Sequence, residues 1–286
     1  MKKLIPWWGK ISLKMAWSRL PIPYGLWKRM GVFRHGFMES ADYVANVFRR
    51  HWDRSDFARK KGEFYAMELG CGDSLASCLM GRSVGAARYY LVDVGEFAAK
   101  DIHIYQKIAS ALPRIGPAIP DIGACGSVAE MMVSVKAEYL THGLRSLKEL
   151  PDKSVDFIWS QAVLEHVKRS EFAETIAEIR RIIRDDGVTS HRIDLMDHLG
   201  GALNNLRFSR EFWEAPLMAN SGFYTNRIRF DEMVRIMESA GLDVELVEVD
   251  RWERLPTPRR KLSAEFKHLT EEDLNVRGFN VVLRPV

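Results

Sequence analysis

The sequence predicts an α/β fold in which helices flank an open, mostly parallel sheet, and three stretches carry that prediction. Phe64-Tyr65-Ala66-Met67-Glu68-Leu69 is a short apolar strand that runs into the turn Gly70-Cys71-Gly72-Asp73-Ser74 and then into a helix. About twenty residues on, Tyr89-Tyr90-Leu91-Val92-Asp93 is a second strand that ends in a carboxylate, where doubly wound sheets hold ribose hydroxyls. Val155-Asp156-Phe157-Ile158-Trp159-Ser160 is the clearest buried strand, and Gln161 to His166 continue from its C-terminal end, the edge at which open α/β sheets bind ligands.

Glycine lacks a Cβ and tolerates positive φ, so the Gly70–Gly72 turn lets the backbone approach a bound nucleoside closely. Ala76 and Ser77 follow where a dinucleotide site carries its third glycine, which weakens a pyrophosphate reading. A tight turn with no ligand is the plain alternative. The acid at Asp93, at the spacing a ribose contact needs, argues against it.

In chain order, residues 1–38 hold eight Lys or Arg, no Asp or Glu, and four of the eight tryptophans (Trp7, Trp8, Trp17 and Trp27). The net charge of +4 is therefore local: 34 Lys and Arg face 38 Asp and Glu in the rest, or −4, which disfavours a general nucleic-acid surface. Basic and indole side chains together suit the headgroup layer of an anionic membrane; packing on the core or on a partner subunit is the equal alternative. A helix is predicted from Met38 to Lys60, with Tyr43, Val44, Val47 and Phe48 on one face. Between Asp93 and the strand expected at Val135–Leu140 an insertion over 95–134 centres on a proline-rich loop, residues 113–120.

A helix over Glu171–Arg184 with Ser170 as its N-cap, a strand over Val188–Asp194, a helix from Phe230 stopped by Gly241, and a strand pair at Val244–Val249 and Phe279–Leu283 complete the order. Two further insertions span 195–229 and 251–277, so the expected division is a basic segment, 1–38, and one domain, 39–286. Composition at 47% apolar supports a substantial core, and no run approaches the roughly 18 apolar residues of a membrane span. With no signal-peptide pattern the expected location is the cytoplasm, including the inner face of its membrane. Cys71, Cys78 and Cys125 show neither zinc nor disulfide spacing and are expected to be reduced and buried.

The glycine turn, the acid-ended strand, the Ser154-to-His166 run Ser-Val-Asp-Phe-Ile-Trp-Ser-Gln-Ala-Val-Leu-Glu-His and the Arg-Asp-Asp-Gly turn at 184–187 together resemble class I S-adenosylmethionine (SAM)-dependent methyltransferases over about residues 60–286. The resemblance implies a Rossmann-like seven-stranded sheet with its last strand antiparallel, and SAM as cofactor. It places Glu68, Gly70, Gly72 and Asp73 along the methionine and ribose parts and Asp93 on the ribose hydroxyls. Ser160 and Gln161 fall beside the methionine end. The segment 141–145 lacks the aspartate that commonly meets the adenine amino group, so backbone groups near Gly143 and Leu144 are expected there. Val163-Leu164-Glu165-His166 is similar to enzymes acting on small metabolites and sugars, and segments 190–199 and 221–227 resemble a bacterial branch associated with surface-polysaccharide synthesis.

Methyl transfer from a sulfonium is an in-line displacement, and a hydroxyl acceptor also needs its proton removed. The base candidates near the ends of strands four and five are His166, His191, Asp194, Asp197 and His198. The same imidazole and carboxylate set could ligate a divalent metal, although none is assigned. Asn204, Asn205, Trp213, Tyr224, Asn226 and Arg227 suit a sugar acceptor through hydrogen bonds and ring stacking. The expected function is O-methylation of a hydroxyl on a cell-surface glycan or its lipid-linked precursor; methylation of another small metabolite and a non-catalytic SAM-binding protein are the rivals. RNA methylation is disfavoured by the acidic remainder of the chain.

Overall fold

The computed structural model describes residues 9, 40–57, 63–112 and 119–286. The expectations for the basic segment and for most of the proline-rich loop lie outside the described residues. A strand buried on both faces must have neighbours and cover on every side. Accordingly β4 (Val155–Gln161) lies between β1 (Phe64–Leu69) and β5 (Ile183–Asp194), parallel to both. With β2 (Ala86–Val92), β3 (Ala137–Leu140), β6 (Leu242–Arg251) and β7 (Val276–Pro285) the sheet has the order β3-β2-β1-β4-β5-β7-β6. β7 is antiparallel to both β5 and β6, so the predicted seven-stranded sheet with an antiparallel last strand is the one observed.

One core packs α1 (Ala41–Ser55), α2 (Ser77–Ser83), α3 (Ile102–Ala111) and α4 (Val128–Ser134) against the sheet, around Phe48, Tyr89, Phe157 and Trp159. The other gathers α5 (Leu144–Glu149), α6 (Arg169–Ile182) and α9 (Phe230–Ser239) around Ile158, Phe172, Ile176, Met233 and Met237. Alternation along β4, with Phe157 and Trp159 in one core and Ile158 in the other, explains how one apolar run serves both layers.

Several boundaries differ from the sequence reading; among them, β5 starts at Ile183 rather than Val188, so the expected turn at 184–187 is strand and α6 ends at Ile182. α1 is shorter than 38–60: the Ser40 hydroxyl caps it by accepting from Tyr43 N–H, and Asp56 ends it in the left-handed region at φ 53°. Val135 is not strand, because its N–H closes the last turn of α4 on Met131 O at 3.0 Å, and β3 starts at Ala137. Ser170 is not the cap of α6. The helix starts at Arg169, two residues before the expected Glu171, and the Tyr224 hydroxyl accepts the Arg169 N–H at 3.2 Å, satisfying from outside a donor that a local cap would otherwise serve.

Each insertion carries short helices: 95–134 contains α3 and α4, 195–229 contains α7 (Arg210–Trp213) and α8 (Pro216–Ala219), and 252–275 contains α10 (Ala264–Lys267) and α11 (Glu271–Asn275). Arg229 fastens the last two to the sheet. Its buried guanidinium donates to Leu195 O at 3.1 Å, Asp273 O at 3.0 Å, Leu274 O at 3.2 Å and Val276 O at 2.5 Å. All three cysteines are free thiols, but Cys125 is only half-buried, contrary to expectation, because it sits in the surface turn before α4.

Candidate active site

The turn after β1 is held by its own acids. Glu68 is buried and accepts from the Ser77 hydroxyl at the start of α2. Burial pushes its carboxyl up to about 8; the Ser77 hydrogen bond opposes that rise and the Asp93 charge adds to it. Gly70 has φ 77° and donates to Val92 O at 2.7 Å; a Cβ there would lie 2.3 Å from Val163 Cγ2, so its missing side chain makes room for the loop after β4. Gly72, at φ 58°, donates to Asp93 Oδ2 at 2.8 Å, while Asp93 Oδ1 accepts the Val94 N–H at 2.7 Å. Asp73 is buried, and its carbonyl accepts from Ala99 N–H at 2.9 Å.

A carboxylate offers about four lone-pair directions, so Asp93 can pin the turn and also accept hydroxyl donors. Beside it Val94, 77% exposed, presents an apolar surface for a flat base. The sequence reading passed over Val94; an apolar residue directly after the strand-end acid, in a loop, was its only signal. On the adenine side, the Gly143 N–H donates to Asp93 O at 2.8 Å, which ties the start of α5 to the end of β2. Leu144, half-buried, opens α5.

At the end of β4, Ser160 and Gln161 point to opposite faces. Ser160 Oγ lies 2.7 Å from His191 Nδ1, and both residues are buried. Gln161 Oε1 lies 3.0 Å from Nε2 of His51, a residue of α1 that the sequence reading did not single out. Ala162 follows in the left-handed region at φ 53°, with its N–H on Arg192 O at 2.8 Å, a backbone conformation that a non-glycine residue adopts at some cost.

The five base candidates separate clearly. His191 is fully buried, and burial lowers it to about 3, so it stays neutral in the core. Asp197 is a loop clamp: Oδ1 accepts from Leu199, Gly200 and Gly201 N–H, and Oδ2 from the backbone and side-chain N–H groups of Asn204. Neither is placed to take a proton from an acceptor. Asp194 is half-buried, accepts the Met196 N–H at 2.9 Å and is raised by burial, with the Met196 bond opposing. His166 and His198 are exposed and face each other, Nε2 to Nε2, at 3.0 Å. His166 Nδ1 lies 2.8 Å from Tyr224 O; a carbonyl only accepts, so Nδ1 carries the proton and Nε2 is the basic nitrogen of the neutral ring. Next to them Glu165, also overlooked, is buried and pushed up to about 8 by burial, and its Oε1 accepts the Asp194 N–H at 3.2 Å.

The residues expected to contact a sugar are internal; none is more than 6% exposed. Asn226 Nδ2 donates to Leu164 O and Val167 O, tying the insertion to the loop after β4, and Asn205 Nδ2 donates to Thr225 Oγ1. Trp213 donates to Thr225 O and packs with Phe208, Phe223 and Tyr224. Arg227 lies between the Trp213 and Phe266 rings and pairs with Glu265 at 3.2 Å. Buried polar groups are as a rule bonded, and the fold uses most of these groups to bond itself; Asn205 Oδ1 and Arg227 Nε are buried without a partner. A surface cavity lined by Arg169, Arg210, Arg235, His268 and Asp273 includes no residue of the glycine turn. No group of three or more His, Cys, Asp or Glu able to hold a metal occurs among the described residues.

A methyltransferase-domain family model matches residues 124–190, from just before α4 into β5. No curated protein matches the chain significantly. Among solved structures, the chain is similar to a SAM-dependent methyltransferase from Methanosarcina mazei, at 16% identity and TM-score 0.49, over 79% of this chain and 94% of that one. A geranyl diphosphate C-methyltransferase from Streptomyces coelicolor gives 13% identity and TM-score 0.47 over 86% and 79% of the two chains. A phosphoethanolamine N-methyltransferase from Haemonchus contortus gives 12% and 0.45 over 84% of this chain and 53% of that one. These distant likenesses say nothing of the acceptor. The strand order, and the glycine turn held by the acid at the end of β2, give the chain the fold of class I methyltransferases, and residues 124–190 match a methyltransferase-domain model.

Proposed function

We propose that this enzyme transfers the methyl group of SAM to a hydroxyl of a sugar, on a cell-surface glycan or its lipid-linked precursor, with His166 as the general base. The observation that carries the proton-transfer part is the His166 imidazole, exposed beyond the end of β4, with Nδ1–H fixed on Tyr224 O and Nε2 left basic beside His198. His198 Nε2–H holds that nitrogen until an acceptor hydroxyl replaces it. The hydroxyl proton then passes to His166 as the oxygen attacks the sulfonium methyl, and Asp194 nearby favours the imidazolium that results.

With the polar groups of the insertion turned inward, the sugar assignment rests on the resemblance of segments 190–199 and 221–227 to surface-polysaccharide enzymes. Another small hydroxylated metabolite is the second reading, since His166 would serve it equally. A lipid-linked acceptor agrees with residues 1–38 holding the enzyme at the inner face of the cytoplasmic membrane through their eight cations and four tryptophans. The test is formation of S-adenosylhomocysteine (SAH) with a panel of lipid-linked and free sugars. His166→Ala should keep SAH affinity and lose about 10²- to 10⁴-fold in turnover. Full turnover in that variant with the true acceptor would remove His166 as base.

A further inference from the structure

We infer that His51 is a positioning residue for the cofactor: it turns the Gln161 amide so that its nitrogen, not its oxygen, faces the methionine end of SAM. The inference rests on the reading of the β1 and β4 strand edge as the SAM site. Gln161 is the last residue of β4 and is half-buried, so it stands at the rim where the sheet meets a ligand. An amide side chain offers a donor and an acceptor and can present either. Here the choice is made from outside the sheet, by α1.

The His51 ring is fully buried, 5.0 Å from the Trp159 ring between centroids, and both of its nitrogens are engaged: Nε2 with Gln161 Oε1 at 3.0 Å and Nδ1 with Ser190 Oγ at 2.9 Å. Burial keeps the ring neutral, pushing it down to about 3, so it carries one proton. The amide oxygen can only accept, which assigns that proton to Nε2 and leaves Nδ1 to accept from the Ser190 hydroxyl. Ser190 lies on β5 and Gln161 on β4, so His51 joins two strands to α1, with the Gln161 amide oxygen turned toward the ring. With its oxygen engaged, Gln161 has its N–H donors left for the ligand side, where the carboxylate of the methionine portion is the complementary group.

Calorimetric titration of the full chain with SAH tests this. His51→Phe keeps a ring against Trp159 and removes both nitrogens; SAH should bind about 5- to 10-fold more weakly, the scale of one hydrogen bond. His51→Gln, whose amide nitrogen can replace ring Nε2, should restore most of the affinity. In a Gln161→Met background, His51→Phe should cause no additional loss, because His51 acts through Gln161. Wild-type affinity in His51→Phe, or a loss that adds in full to that of Gln161→Met, overturns the proposal. If phenylalanine at 51 does not fold, Ser190→Ala enters the same cycle, with a loss that vanishes in the Gln161→Met background expected and an undiminished loss or none at all counting against it. Failure of the wild-type chain to bind SAH would instead remove the cofactor reading on which the inference stands.

Discussion

Replacing Gly70 by alanine should damage this protein more than any other single methyl group added to the glycine turn, for two separable reasons. The residue sits at φ 77°, where a side chain costs about 1–2 kcal/mol, and its N–H on Val92 O at 2.7 Å keeps the backbone from rotating away. The new Cβ would also stand 2.3 Å from Cγ2 and 2.7 Å from Cγ1 of Val163. Relief by backbone movement there belongs with overpacking, about 1–3 kcal/mol. Together they amount to about 2–5 kcal/mol, a large share of the 5–15 kcal/mol that holds a typical domain together. For a chain of this size each kcal/mol lowers Tm by about 2–4 °C, so the variant should melt about 4–20 °C lower. Thermal denaturation followed by circular dichroism measures this, with SAH titration on the same samples. Val163→Ala in the same chain removes both methyl groups and should return the steric part while the backbone part persists. An alanine variant with wild-type Tm, or a double variant no better than the single, would refute the contact as the reason for glycine.

Asp93→Ala should weaken SAH binding by about 1.5–3 kcal/mol, the scale of hydrogen bonds to a charged group, measured by calorimetry at fixed salt; unchanged affinity takes Asp93 out of the site. Glu68 and Glu165 both stand at about 8 in the folded chain against 4.5 for the ordinary group, so the unfolded chain releases protons that the native one keeps. Stability from these groups is therefore fully present below about pH 4.5 and declines as pH rises toward 8. Melting curves across that range should show a shallower decline in Glu68→Gln than in wild type. Liposomes containing anionic lipid should sediment the full chain at low salt and release it as salt rises, and loss of residues 1–38 should abolish the effect. Equal sedimentation with and without that segment would rule it out as the anchor.

What could be read from the sequence was whatever the local residue order already determines. Four apolar or aromatic residues in near-continuous order, Val155, Phe157, Ile158 and Trp159 of β4, can satisfy themselves only between two layers. The turn and Asp93 were readable because their spacing reflects one strand, one turn and one crossover. His51 was not, since its meaning comes from Gln161 and Ser190, which lie 110 and 139 positions further along the chain. The opposite failure occurred over 195–229. Asn226 and Tyr224 have the composition of a sugar site, but Asn226 binds Leu164 O and Val167 O, and the Tyr224 hydroxyl donates to Glu214 at 2.8 Å. Residue type does not tell a polar group that serves a ligand from one that serves the chain itself. The histidines show both outcomes, with His191 drawn into the core by the strand's alternation and His166 left at the rim by the loop that follows β4.

Arg229 also bears on how such an enzyme can diversify. One side chain ties the start of the 195–229 segment, the end of the 252–275 segment and the first residue of β7 through carbonyl oxygens, groups that every amino acid supplies. The fastening is thus indifferent to the identity of the residues it holds. Mutational drift at the tips of both segments, around α7, α8 and α10, leaves the joint intact so long as the arginine and the local backbone path persist. Libraries that randomise the exposed positions of those segments, and spare Arg229 together with buried Trp213, Met218 and Phe266, should melt close to the parent chain.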